Sequence, residues 1–210
     1  VDFGTQMRTK RELITEIAAT LSFSAIQNND KIGVIFFSDK VEKYIPPQKG
    51  RKHILYIIRE LLTFTPQGKK TDISEALEFM MKIQRRQCAA FVISDFIDRH
   101  DLTDKLKIAG HRYDLNAIEV YDIRMKELPD IGIVEFRDAE TGHIEYVDTS
   151  SKRVRNQHRS AWQEREHTLH LQFTKAGVRN VAIPTDGNYV KKLMQLFNSK
   201  TAGISSKGNV

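Results

Sequence analysis

The chain has 210 residues, with 33 Lys+Arg against 27 Asp+Glu, a formal charge of +6 and 40% hydrophobic residues. That length suits one domain with a core large enough to need no disulfide or structural metal, and the single Cys88 excludes a disulfide framework or a Cys-rich zinc cluster. No apolar run reaches the roughly 18 residues of a membrane span, no basic-then-apolar start marks an export signal, and the mixed charges point only weakly to nucleic acid.

Val1-Asp2-Phe3-Gly4-Thr5 contains no complete strand. From Lys10 onward, Ile14, Ile17, Ala18, Leu21 and Ala25 recur at helical spacing, and Asn28-Asn29-Asp30 supplies the stop. Ile32 to Phe37 reads as a buried strand. Val41 to Ile45 alternates like an edge strand, which Pro46-Pro47 is expected to end. A second helix is predicted from Arg51 to Leu62, with Ile54, Leu55, Ile58, Leu61 and Leu62 turned inward. Pro66 to Lys70 is a loop, and a third helix opens at Thr71-Asp72 with Ile73, Ala76, Leu77, Met80 and Met81 on one side.

Cys88 to Ile93 reads as another buried strand ending at Ser94-Asp95, with a short helix from Leu102 to Gly110 and a strand from Leu115 to Val120 after it. Gly132–Phe136 and His143–Val147 flank Asp138 to Gly142, a hairpin turn. Arg155 to Lys175 is helical, with Trp162, Leu169, Leu171 and Phe173 as buried candidates. Val178 to Ile183 gives a last strand and Tyr189 to Phe197 a last helix. Residues 1–198 are therefore expected to form the domain and 199–210 a mobile tail.

Strands alternating with helices predict an α/β fold, a mostly parallel sheet covered on both faces. Ligands of such sheets sit at the carboxyl ends of the strands. Asp95, just past an apolar strand, could hold a hard cation or a substrate there; the competing reading is a loop residue that caps the adjoining backbone. Asp72 and Glu75, three apart, form a capping-box arrangement with no function invoked. That leaves the Thr71 hydroxyl free at a helix mouth, and hydroxyls with carboxylates suit Mg²⁺.

The basic run Lys152 to Arg159 lacks interleaved aromatic residues and reads as a solvated helix start. The His residues lack zinc spacing, phosphate-loop and nucleophile-elbow patterns are missing, and Cys88 reads as inert core.

The order of these pieces resembles a von Willebrand factor A domain and, more closely, the bacterial "domain of unknown function 58" family. The residues that carry it are Phe3-Gly4-Thr5, Lys10-Arg11-Glu12-Leu13, Phe23 to Gly33, Phe37-Ser38-Asp39, Tyr44-Ile45-Pro46-Pro47 and Gly50-Arg51. Thr71-Asp72, Ser94-Asp95-Phe96, Glu127-Leu128-Pro129, Asp138 to Gly142 and Thr185-Asp186 complete the set. The resemblance implies a three-layer Rossmann-like sheet with a small hairpin insertion and a metal-ion-dependent adhesion site. Such a site takes an Asp-x-Ser-x-Ser loop after the first strand, a Thr from a second loop and an Asp from a third. Thr71 matches the second element and Asp95 the third.

Asp2-Phe3-Gly4-Thr5-Gln6 does not match the first element, so the first strand and its loop are expected to be missing and the sheet to show a gap or free edge. Thr71 and Asp95 alone then supply too few oxygens, and one net charge, and are expected to bind Mg²⁺ weakly or not at all. The resemblance further implies a non-enzymatic, cytoplasmic interaction module in which an acidic partner side chain completes the metal site. Its implied partner is a MoxR-type AAA+ ATPase, and its work the assembly or remodelling of another complex. The alternatives are a metal-dependent phosphodiesterase or nuclease using Asp39, Asp95 and Asp122, or a basic nucleic-acid-binding domain.

Overall fold

In a computed structural model, residues 8–68, 70–98, 100–137 and 144–204 are described. The expected turn from Asp138 to Gly142 and the residues before Arg8 lie outside them. Three parallel strands form the middle layer: β3 (Ala89–Ser94), β4 (Asp114–Tyr121) and β7 (Arg179–Pro184), in the order β3-β4-β7. Central β4 is buried along nearly its whole length because helices cover both of its faces. Its Leu115 and Ala117 point to one side, where α3 (Ile73–Ile83), α4 (Thr103–Arg112) and α6 (Lys152–Ala176) contribute Leu77, Leu106 and Phe173. Its Ile118 and Val120 point to the other, against Leu13 and Ile17 of α1 (Lys10–Gln27) and Leu193 and Leu196 of α7 (Tyr189–Ile204). The α/β layering read from the sequence is therefore present.

The remaining strands form two antiparallel hairpins. In the first, β1 (Ile32–Phe37) pairs with β2 (Val41–Gln48) over α2 (Arg51–Thr63), around Phe36, Ile45 and Ile57. Among the described residues β1 and β3 belong to separate ladders, so each keeps one edge free of ladder hydrogen bonds. Such an edge carries backbone donors and acceptors open to pairing. The second hairpin joins β5 (Ile133–Arg137) to β6 (Ile144–Asp148), before which a single turn of helix, α5 (Ile123–Lys126), follows β4.

Several expectations need correction. β2 continues through Pro46-Pro47 to Gln48, because the ladder is irregular between Ile32 and Val34 and Gly33 lets the chain approach. A Cβ on Gly33 would lie 2.8 Å from the Ile45 carbonyl oxygen and 2.9 Å from the Pro47 nitrogen. In α2, Ile54 and Ile57 are buried while Leu55 and Leu62 face outward. Leu171 of α6 is exposed, and α7 runs beyond Ser199, where the sequence places the start of the tail.

Candidate functional site

The loops after β1 and β3 and the loop entering α3 are tied to one another by hydrogen bonds. Asp72 caps α3 by accepting from the Glu75 N–H at 2.9 Å, which is one half of the expected capping box. The other half is not made, because the Asp72 N–H donates to the Ser38 carbonyl of the β1–β2 turn at 2.8 Å. Glu42 of β2 reinforces this junction. Its carboxylate accepts from the Ser38 hydroxyl at 2.5 Å, the Gln67 N–H at 2.9 Å and the Gly68 N–H at 3.0 Å. Those bonds, the Ser38 hydroxyl foremost, hold the Glu42 carboxyl below its usual range. Gly68 is required by the close approach: a Cβ there would meet the Asp39 and Ser38 side-chain oxygens at 2.1 and 2.2 Å.

The third loop is joined to the second by a residue that no motif singled out. The Asp98 side chain, 1% exposed, accepts from the Ile73 N–H at 3.0 Å and from the His100 N–H at 2.9 Å. Thus the loop carrying Asp95 holds the first residue of the helix that begins after Thr71. Asp72, Asp98 and His100 bring donor atoms within 4.8 Å of one another. Their oxygens are engaged as helix and loop caps, which accounts for the cluster without an ion.

Thr71 is half-buried, and among the described residues its hydroxyl has no hydrogen-bond partner. Asp95, at the end of β3, is engaged. Lys10 Nζ of α1 lies 2.7 Å from Asp95 Oδ2, the Ile97 N–H donates to Oδ1 at 3.3 Å, and Arg165 of α6 donates to the Asp95 carbonyl at 2.6 Å. The same Arg165 nitrogen reaches Glu119 of β4 at 2.9 Å, and its guanidinium stacks on Trp162. Burial pushes the Glu119 carboxyl above its ordinary value, with Arg165 acting against the rise. No hydrogen bond joins Thr71 to Asp95; the loops bearing them are neighbours through Asp98. Phe96 takes the left-handed region at φ 50°, its backbone N–H bound by the Ser94 hydroxyl at 3.1 Å and its ring buried against Phe173.

The other sequence candidates have structural partners. Asp122 caps α5 through the Arg124 N–H, whereas Asp39 is exposed on the β1–β2 turn. In the basic run, Arg155 bonds the Thr149 and Ser150 carbonyls and pairs with Asp130, and His158 bonds the Met125 carbonyl. Cys88 packs half-buried beside the core, and burial pushes its thiol up, away from reactive thiolate.

A family model described as protein of unknown function DUF58 matches residues 1–168. The chain belongs to this family. The DUF58 chain is 32% identical over 146 residues to uncharacterized proteins of Mycobacterium bovis and Mycobacterium tuberculosis. That match covers 69% of this chain and 46% of the relative, so the chain spans about half the length of those curated relatives. An uncharacterized Mycobacterium avium protein is 27% identical over 161 residues, 76% of this chain and 95% of that one.

Among solved structures, the conserved hypothetical protein BatB from Bacteroides thetaiotaomicron superposes with a TM-score of 0.57 at 17% identity, covering 92% of this chain and 88% of that one. An aerotolerance-related membrane protein from Bacteroides fragilis gives 0.53 at 16%, covering 88% of each. At these identities the likeness shows the fold alone. Among the described residues of the DUF58 chain, no helix is long and apolar enough to cross a membrane.

Whether the residues present fit Mg²⁺ is decided by Asp95. Its carboxylate already carries an ammonium on one oxygen and an N–H on the other, and Thr71 would add a single neutral oxygen. A hard cation that gives up hydration water needs more than that. The described residues do not fit the ion.

Proposed function

We propose that this DUF58 protein is a non-enzymatic protein-interaction module, presenting the tied loops at the carboxyl ends of β1 and β3 to an acidic group of a partner. The fold and the family support a von Willebrand factor A-like reading in which Thr71 and Asp95 belong to the contact face. Mg²⁺ is the cofactor proposed for a site completed by an Asp-x-Ser-x-Ser loop, and weak or no binding is proposed for the described residues. The proposed partner is a MoxR-type AAA+ ATPase, and the proposed setting is the cytoplasm, with assembly or remodelling of another complex as the outcome.

One observation carries the preference for binding over hydrolysis. Among the described residues, five carboxylates near this edge are committed to structural partners, since Asp72 and Asp122 cap helices, Asp98 caps α3, Glu42 pins a loop and Asp95 holds Lys10, which leaves Asp39 exposed on its turn. Hydrolysis of a phosphodiester by two metal ions needs carboxylates left open toward one point. A cross-tied surface instead suits docking, since little loop ordering is lost on association.

The test immobilises the protein and measures capture of a MoxR-type ATPase, with Asp95→Asn and Thr71→Ala as variants and phosphodiester cleavage assayed in parallel with Mg²⁺ and Mn²⁺. Capture weakened about tenfold or more by Asp95→Asn, with unchanged far-ultraviolet dichroism and no cleavage, is the expected result. Capture indifferent to both substitutions, or cleavage that they abolish, would overturn the reading.

A further inference from the structure

We infer that Lys10 is the resident cation of this loop cluster, its ammonium standing at Asp95 where the family resemblance places Mg²⁺, so that a divalent ion must displace it to bind. The inference rests on the proposed contact face only for the location of the site.

Lys10 is held in place by its surroundings. It is the first residue of α1, whose N-terminus is closed by a complete capping box: the Thr9 N–H donates to Glu12 at 2.7 Å, and the Glu12 N–H donates to the Thr9 hydroxyl at 3.2 Å. Arg8, two residues before, is anchored to Glu16 and to the Gly187 carbonyl, both at 2.7 Å. The start of the helix is thereby fixed on both sides of Lys10. The pair it makes is partly sheltered, with side chains 34% and 26% exposed. A freely solvated lysine would gain little from such a contact; one delivered from a capped helix loses less freedom in making it.

Charge balance gives the second line of argument. Among the described residues, the charged groups facing Asp95 are Lys10 from α1, Arg165 from α6 and Glu119 from β4. Two carboxylates therefore meet two cations, and Glu166, which also bears on Glu119, is paired with Lys126, so the charges of the described residues balance without any ion. A divalent cation bound at Asp95 beside Lys10 would leave two positive charges uncompensated in a partly dry site, where repulsion is weakly screened. Removing the ammonium frees one carboxylate oxygen and restores the negative charge that attracts a metal.

The experiment titrates the protein with Mn²⁺, monitored by the paramagnetic resonance of the free ion and by competition with Mg²⁺. Lys10→Met is expected to bind Mn²⁺ about tenfold or more tightly than wild type, Lys10→Arg to behave like wild type, and the Lys10→Met/Asp95→Asn double variant to lose the gain. Lys10→Gln serves as a second neutral variant, and far-ultraviolet dichroism confirms that each folds. Equal affinity in wild type and both neutral variants would overturn the inference, as would a gain that survives Asp95→Asn or that Lys10→Arg shares. No partner protein enters this titration, so its failure leaves the capture assay to judge the interaction reading separately.

Discussion

The Asp98 carboxylate accepts backbone N–H bonds at both of its oxygens while almost fully buried, and one of those donors is the first residue of α3. Asp98→Ala strands both donors without a substitute acceptor. The expected cost is about 1–3 kcal/mol of stability, read from urea unfolding, with Asp98→Asn losing less because an amide oxygen can still accept. A loss within error for Asp98→Ala would show that water replaces the carboxylate. The sequence signals Asp72 because the donor it caps, Glu75, is three residues away. It does not signal Asp98, whose target Ile73 lies 25 positions back in the chain, or Lys10, which is 85 positions from Asp95. Local hydrogen bonds leave a mark on spacing; those closed by the fold do not.

At the level of single elements, helices and strands follow from periodicity, but which side of each points inward does not. The apolar residues of α2 occupy positions 54, 55, 57, 58, 61 and 62, a stripe wide enough to accept more than one rotation about the helix axis. Contact with Phe36 and Ile45 on the β1–β2 hairpin selects the rotation that buries Ile57 and leaves Leu62 61% exposed. Thermal or urea unfolding should separate the two. Ile57→Ala is expected to cost about 2–5 kcal/mol as a core truncation, and Leu62→Ser to stay within about 0.5 kcal/mol as a surface change. Reversed magnitudes would restore the rotation expected from the sequence. Pro46-Pro47 teaches the same lesson for strands: a ladder irregularity opposite Gly33 accepts the prolines, and no count of proline residues shows where a bulge will form.

Across the whole molecule, alternating strands and helices made the covered parallel sheet legible, and with it the loops at the carboxyl ends of its strands. The division of the strands into separate ladders has a consequence for how the molecule opens. The β1–β2 ribbon and α2 enclose their own cluster around Phe36, Ile45 and Ile57, while Ile118 and Val120 belong to another on the far layer. Bonds from the Arg11 side chain to the Leu62 and Phe64 carbonyls, and from the Asp72 N–H to the Ser38 carbonyl, fasten the ribbon unit to the rest, with Phe37 packed against the central core and Tyr44 edge-on to Phe79. Such an arrangement favours two cooperative units over one. Native-state amide exchange should find the ribbon losing protection at a lower denaturant concentration than β4; identical isotherms for the two would mean that these contacts make them melt as one.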